Sequence, residues 1–207
     1  MALTTIHRVA LATSLTALVS LGSGPVFGQQ ASGALGLEKI RVSIAGKSNV
    51  HEYTASTTTA RLVQLRLAAG VAPTLQGLVA PGAIEAFEIA IPAATLSSEK
   101  DGLDKNMHKA LKVTEHKDIT FRLGRLEAAQ TSAAYRATGV LKIAGVERTA
   151  TFEITVEHKG TALVVRGEVP LLMTDFGIAP PKAMLGMLKT DPKVTVTFET
   201  VLSVPLT

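Results

Sequence analysis

Ala134–Glu157, AYRATGVLKIAGVERTATFEITVE, alternates apolar and polar side chains on both sides of a single glycine turn. Tyr135, Ala137, Gly139, Leu141 and Ile143 share one face, with Arg136, Thr138 and Lys142 on the other. After the turn at Ala144–Gly145–Val146, Ala150, Phe152, Ile154 and Val156 oppose Thr149, Thr151, Glu153 and Glu157. A period of two places alternate residues on opposite faces of a strand. Gly145 supplies the positive φ that a tight hairpin needs. The segment is an antiparallel hairpin with one buried face and one wet face.

The same alternation recurs outward from it in both directions. Towards the N-terminus, Ile40, Val42 and Ile44 form one apolar set; Val63, Leu65 and Leu67 form another; Phe87, Ile89 and Ile91 a third; and Ile119, Phe121 and Leu123 a fourth. Towards the C-terminus the sets are Leu163, Val165, Gly167, Val169 and Leu171, then Val194, Val196 and Phe198. With the hairpin this gives eight candidate strands, short and evenly spaced, which argues for a sandwich or a barrel. One helix interrupts them: Leu103, Met107 and Ala110/Leu111 recur at helical spacing, with Lys105, Lys109 and Lys112 off that stripe. It falls between the third and fourth of these strands. The expected fold is all-β: an eight-stranded antiparallel barrel with one α-helix inserted between strands 3 and 4.

The bulk of the chain narrows the classes. His7 and Arg8 precede an apolar run from Val9 to Leu21 and then the small, breaker-rich SGPVFG. That order fits a cleavable signal peptide over residues 1–28, and the run is too short for a membrane span. Residues 29–37 are expected as a linker and 38–207 as the folded domain. Export implies a periplasmic protein with no stable membrane insertion. The chain has no cysteine, so no disulfide holds it and the core must do so. About 179 residues after the leader suffice for one domain. The formal charge of +4 is mild and dispersed, and no basic block with interleaved aromatics appears, which argues against nucleic acid.

An eight-stranded barrel has an interior that side chains just fill or that holds one small ligand. The small residues Ala137, Gly139, Ala150 and Gly167 on the inward faces, and the lack of Trp, favour an under-filled interior. The expected lining is Val42, Ile44, Leu65, Phe87, Phe121, Tyr135, Leu141, Phe152, Val165 and Phe198. Met107 and Leu111 of the helix would cover the open end, and His51 and Tyr53, in the polar loop SNVHEYT, would meet a ligand headgroup there.

Four segments in order also carry a family likeness. GLDKNMHKALKVTEHKDITFRL (Gly102–Leu123) resembles the helix-to-strand signature of the YceI-like family of exported polyisoprenoid-binding proteins. ATGVLKIAGVERTATFEITVE resembles that family's central hairpin, MTDFGI (Met173–Ile178) its element before the last strand, and SIAGKSNVHEY (Ser43–Tyr53) a stretch after its first strand. The resemblance covers the chain from about residue 37 to its end and implies a lipocalin-like barrel enclosing an isoprenoid or another amphiphilic lipid. Two places depart from the pattern. Glu52–Tyr53 stands where a subgroup has Asp-Trp, and Lys117–Asp118 replaces a Tyr/His-Pro pair.

Other short strings carry less. Gly46–Lys47–Ser48 lacks the upstream glycine of a phosphate loop, having Arg41 there, and Asp175–Phe176–Gly177 lacks every partner of the kinase motif; Gly177 is expected to end a strand, with Asp175 bonding to turn amides. His108 and His116 are expected as exposed helix and turn histidines rather than metal ligands. With no nucleophile elbow and no cysteine, no catalytic residue is assigned, and no metal or cofactor is expected. The leading expectation is a non-enzymatic lipid carrier, with a homodimer left open. The alternatives are a stress-related structural module with a filled barrel, or a small hydrolase or isomerase using the barrel-mouth His51.

Overall fold

The computed structural model describes residues 36–203 except 73, 130–132, 161 and 184–186, so the expected leader and most of the expected linker lie outside the described residues. Among the described residues there are ten strands: β1 (Gly36–Ser48), β2 (Glu52–Thr57), β3 (Arg61–Leu67), β4 (Ile84–Pro92), β5 (Asp118–Ala128), β6 (Ala134–Ile143), β7 (Val146–Lys159), β8 (Ala162–Leu172), β9 (Lys182–Ala183) and β10 (Leu188–Ser203). Two α-helices, α1 (Leu75–Leu78) and α2 (Asp101–Ala110), lie in the β3–β4 and β4–β5 connections. β1 begins at Gly36, inside the stretch expected as linker.

The count of eight is corrected here. Each expected strand is present, but β2 and β9 add to them. In sequence β2 looks like loop because EYTAST offers few large apolar residues; only small Ala55 and Thr57 are fully buried. The helix α2 keeps its place in the sequence and now falls between the fourth and fifth strands.

Nine strands form one antiparallel path, β2-β1-β10-β8-β7-β6-β5-β4-β3, with β9 paired only to β10. The first and last long strands, β1 and β10, are neighbours. β2 and β3 sit at opposite ends of this path, yet only Thr58–Ala60 link them. Extended chain spans at most about 3.5 Å per residue, so that link reaches no more than about 14 Å. The sheet must therefore curl until its edges nearly meet. The seam carries no β2–β3 ladder: Ser56 and Ser97 exchange backbone bonds of 2.8 and 3.0 Å, joining β2 to the segment after β4. The barrel is thus curled but not fully closed, where closure was expected.

Besides two register shifts in β1, three bulges on β3, β4 and β5 set which of those strands' side chains face inward. Register shifts fall between Leu62 and Gln64, between Arg66 and Leu67, and between Leu123 and Arg125. Each inserts a residue and resets the alternation. Leu62 and Leu65 both face in, as do Ile84 and Phe87, and Leu123 and Leu126. Val63, expected inside with Leu65, is instead 51% exposed. A bulged edge strand, with Arg61 paired to Asp118 at 2.6 Å, resists edge-to-edge pairing.

Two apolar clusters close the barrel's ends. At one, which we call the upper end, Leu96, Leu111, Ile143, Phe176 and Ile178 pack together; at the lower, Leu78 of α1 packs on Val156 and Leu163. Phe176 belongs to a 3-10 turn (Met173–Phe176) that Gly177 caps at φ 67°. Gly177 therefore ends that turn rather than a strand. The turn's amides bond to backbone, Gly177 N–H to Thr174 O and Ile178 N–H to Met173 O, and Asp175 is exposed.

Candidate functional site

The inner faces of the strands enclose two adjoining chambers. The lower occupies the barrel and comprises about 1590 Å³ of unfilled space, part of it open to solvent. Val42, Ile44, Leu65, Phe87, Phe121, Leu141, Phe152, Val165 and Phe198, all expected on the lining, line it. Thr200 is its one polar side chain among the described residues. The upper chamber, about 980 Å³ by the same measure, lies beneath α2 and is lined by Tyr53, Met107 and Leu111 as expected, with Ile44 shared. Ile44, Ile119, Ile143, Leu171 and Val196 line both, forming an apolar waist.

The interior is fuller than its small residues suggested. A Cβ on Gly139 would meet the Phe121 ring at 2.6 Å, and one on Gly167 would meet the Phe198 ring at 2.5 Å. The glycines make room for rings rather than for ligand. Phe152 bridges these rings, its centroid 5.2 Å from that of Phe121 and 5.9 Å from that of Phe198. Such tilted and edge-on contacts favour aromatic pairs.

α2 covers the upper chamber. Asp101 and Asp104 in its first turn oppose the helix dipole, and Leu103, Met107 and Ala110 face the chamber. Two polar ties hold it to the preceding loop: Ser98 N–H donates to Asp104 Oδ1 at 2.8 Å, and His108 Nε2 lies 2.8 Å from Leu96 O. His108 is therefore a half-buried tether rather than an exposed histidine. His116 packs on Gly145, and among the described residues no three His, Cys, Asp or Glu side chains are grouped to hold a metal.

The upper chamber is mostly apolar too, and three of the residues lining it carry a polar side chain: Tyr53, Thr190 and the exposed Asn106. No charged side chain lines either chamber among the described residues. Tyr53 packs across Gly46, its cross-strand partner, where no Cβ would fit. Burial, and secondarily the charge of Asp191, push its phenol above the ordinary range. Asn106 and Thr190 were not singled out from sequence, because a helix amide and a strand threonine look like surface residues there.

Two expected site residues fall elsewhere. His51 is exposed in the β1–β2 turn, where its backbone amide donates to Ser48 Oγ at 3.1 Å and its carbonyl accepts from that hydroxyl. Tyr135 is half-buried against the Leu78 cluster and lines neither chamber.

A curled antiparallel sheet with an apolar, divided interior and a helix across one end defines an all-β half-barrel protein with an internal cavity. The profile of the YceI-like domain matches residues 39–202, and the chain belongs to that family. No curated protein sequence matches it. Among solved structures it is similar to Burkholderia cenocepacia BcnA (16% identity, TM-score 0.62, 78% of this chain and 95% of that one). It is also similar to a polyisoprenoid binding domain from Saccharophagus degradans implicated in plant cell wall breakdown (12% identity, TM-score 0.62, 84% of this chain and 99% of that one). A third is a Campylobacter jejuni YCEI protein carrying a monobromobimane guest (14% identity, TM-score 0.53, 75% and 82%).

Proposed function

We propose that this protein is a periplasmic carrier for an amphiphilic lipid, isoprenoid-like in its tail and uncharged in its head. The observation that carries this is the division of the lumen: a larger apolar chamber below, and a smaller, mostly apolar one above whose lining includes the polar residues Tyr53, Asn106 and Thr190 and no charge among the described residues. Burying a chain at about 0.8 kcal/mol per CH₂ binds it tightly without polar contacts. A few placed polar groups then orient one end. The tail occupies the lower chamber and the head meets Tyr53, Asn106 and Thr190. A phosphate head would find no cation and would sit beside a phenol already near Asp191. The binding domain of Saccharophagus degradans supports the tail class. The leader-like residues 1–28 support export.

The test is to release the protein from its native host by osmotic shock, extract it with organic solvent and analyse the extract by mass spectrometry. A neutral polyprenyl-type lipid near one per chain is expected. The reading fails if no lipid is extracted and the empty protein takes up no polyprenol from detergent micelles. Retention of the protein in spheroplasts would remove the periplasmic assignment. A filled structural barrel is disfavoured by the chambers, and chemistry at His51 by its exposure in the β1–β2 turn, where it lines neither chamber.

A further inference from the structure

From Leu67 to Ile84 the chain carries no charged residue, the longest such stretch beyond Glu38. Its described residues form a flap over the lower chamber, with α1 at its centre and Leu78 and Val79 turned into the lumen. Its neck is closed by Arg66 and Glu85, whose Nε and Oε2 lie 2.7 Å apart, so the flanking charges neutralise each other. Gly70 (φ 79°) and Gly82 (φ 75°) stand at its two bends. Among the described residues every hydrogen bond of the flap runs to another flap residue, such as Ala68 N–H to Ala83 O at 2.9 Å. Among the described residues its ties to the barrel are apolar, with Leu78 packed on Val156 and Leu163 and Val79 facing the lumen. Its outer side exposes small or uncharged residues: Ala69, Ala72, Thr74, Gln76, Ala80 and Pro81. The opposite end differs: α2 shows Lys105 and Lys109 to solvent and is tied down by polar bonds.

We propose that the Ala68–Ala83 flap is the face by which this protein lies on an electrically neutral lipid bilayer, and that an amphiphile passes between bilayer and barrel there. A surface without charge loses no ion hydration when it enters the headgroup boundary, and binding there grows with apolar area. The direction of transfer also fits the lumen. A lipid drawn from a bilayer leaves head first, so the head passes the waist to the upper chamber and the tail follows into the lower. This purpose rests on the lipid-carrier reading; the docking itself does not, and it is measured with ligand-free vesicles.

The experiment is flotation of the purified protein with phosphatidylcholine vesicles at low and high salt. Association that salt does not weaken is expected. Ala72→Glu/Ala80→Glu is expected to lower the bound fraction about fivefold or more, and Lys105→Glu/Lys109→Glu to leave it unchanged. Because the chain has no cysteine, Ala80→Cys and Lys109→Cys each accept a single polarity-sensitive dye. Vesicles should blue-shift the dye at 80 and not at 109, which guards against a misfolded glutamate variant. Salt-sensitive binding, a shift at 109 alone, or no shift at 80 overturns the proposal. Docking without lipid uptake from micelles would instead overturn the carrier reading and leave docking standing.

Discussion

The ring of Phe198 covers the bare Cα of Gly167, its antiparallel partner across β8 and β10. A methyl group on Gly167 would stand 2.5 Å from the ring's Cζ and 3.2 Å from Ile154 Cγ2. An aromatic ring lying over a strand glycine recovers the packing that the glycine lacks. Gly167→Ala should therefore lower stability by about 1–3 kcal/mol by overpacking. Phe198→Ala should cost about 3–5 kcal/mol or somewhat less, because the ring already borders unfilled space. In the double variant the methyl no longer meets a ring, so the two costs should fall short of adding. Urea melts of the four proteins measure this. An unchanged melt for Gly167→Ala would mean that the ring swings freely into the lumen, against the packed arrangement.

The cap over the upper chamber rests on two polar ties, Asp104 to Ser98 N–H and His108 to Leu96 O. Breaking either by Asp104→Ala or His108→Ala should cost about 1 kcal/mol. The effect should be local: faster hydrogen exchange in α2 amides, with strand amides unchanged. An apolar dye held in the lumen should also dissociate faster if the upper end takes part in retention. Equal exchange in α2 for wild type and both variants would show that apolar contacts of Leu111 and Met107 alone hold the cap.

Most of the sheet was legible because its strands bury one face, and a period of two marks that face in any sequence. Ile40, Val42 and Ile44, or Phe87, Ile89 and Ile91, needed nothing more. β2 was not legible, since EYTAST fully buries only small residues, half-buries one aromatic, and takes its place through pairing with β1. Bulges were hidden for a different reason. Val63 and Leu62 are both apolar, and only the pairing of β3 with β4 decides which turns inward. The glycines misled because an absent side chain in the sequence says nothing of the ring that a neighbouring strand lays across it. Of the expected site, the aromatic and aliphatic lining was found by facing alone. Asn106, Thr190 and the His108 tether were not, since each depends on a neighbour remote in sequence or on the helix's orientation.

The bulge at Val63 makes a sharp contrast testable. Val63 is 51% exposed, whereas Leu62 and Leu65 line the lower chamber. Val63→Thr should change stability by no more than about 0.5 kcal/mol, as exposed substitutions do. Leu65→Ala should cost about 2 kcal/mol or more. Denaturant midpoints decide it. A Val63→Thr as costly as Leu65→Ala would restore the unbulged alternation, in which Val63 and Leu65 face inward together.

The Tyr53 phenol gives the site a pH dependence whose sign is fixed. Burial disfavours the phenolate, and Asp191 adds repulsion, so the folded protein holds this proton above the ordinary value of 10.0. Between the unfolded and folded values the unfolded chain has lost a proton that the folded chain keeps. Unfolding then releases a proton, and stability falls as pH rises through that window. Below it, near neutrality, Tyr53 contributes no pH dependence. Head recognition follows the same window, because a phenol that donates to a neutral head becomes a phenolate that repels its oxygen. Tyr53→Phe should weaken polyprenyl-lipid binding by about 1 kcal/mol, roughly fivefold, at neutral pH. It should also flatten the alkaline fall in both stability and affinity. Phenolate absorbance of wild type against Tyr53→Phe gives the folded value directly. An affinity that is unchanged by Tyr53→Phe, with the alkaline fall intact, would place the head somewhere other than the upper chamber.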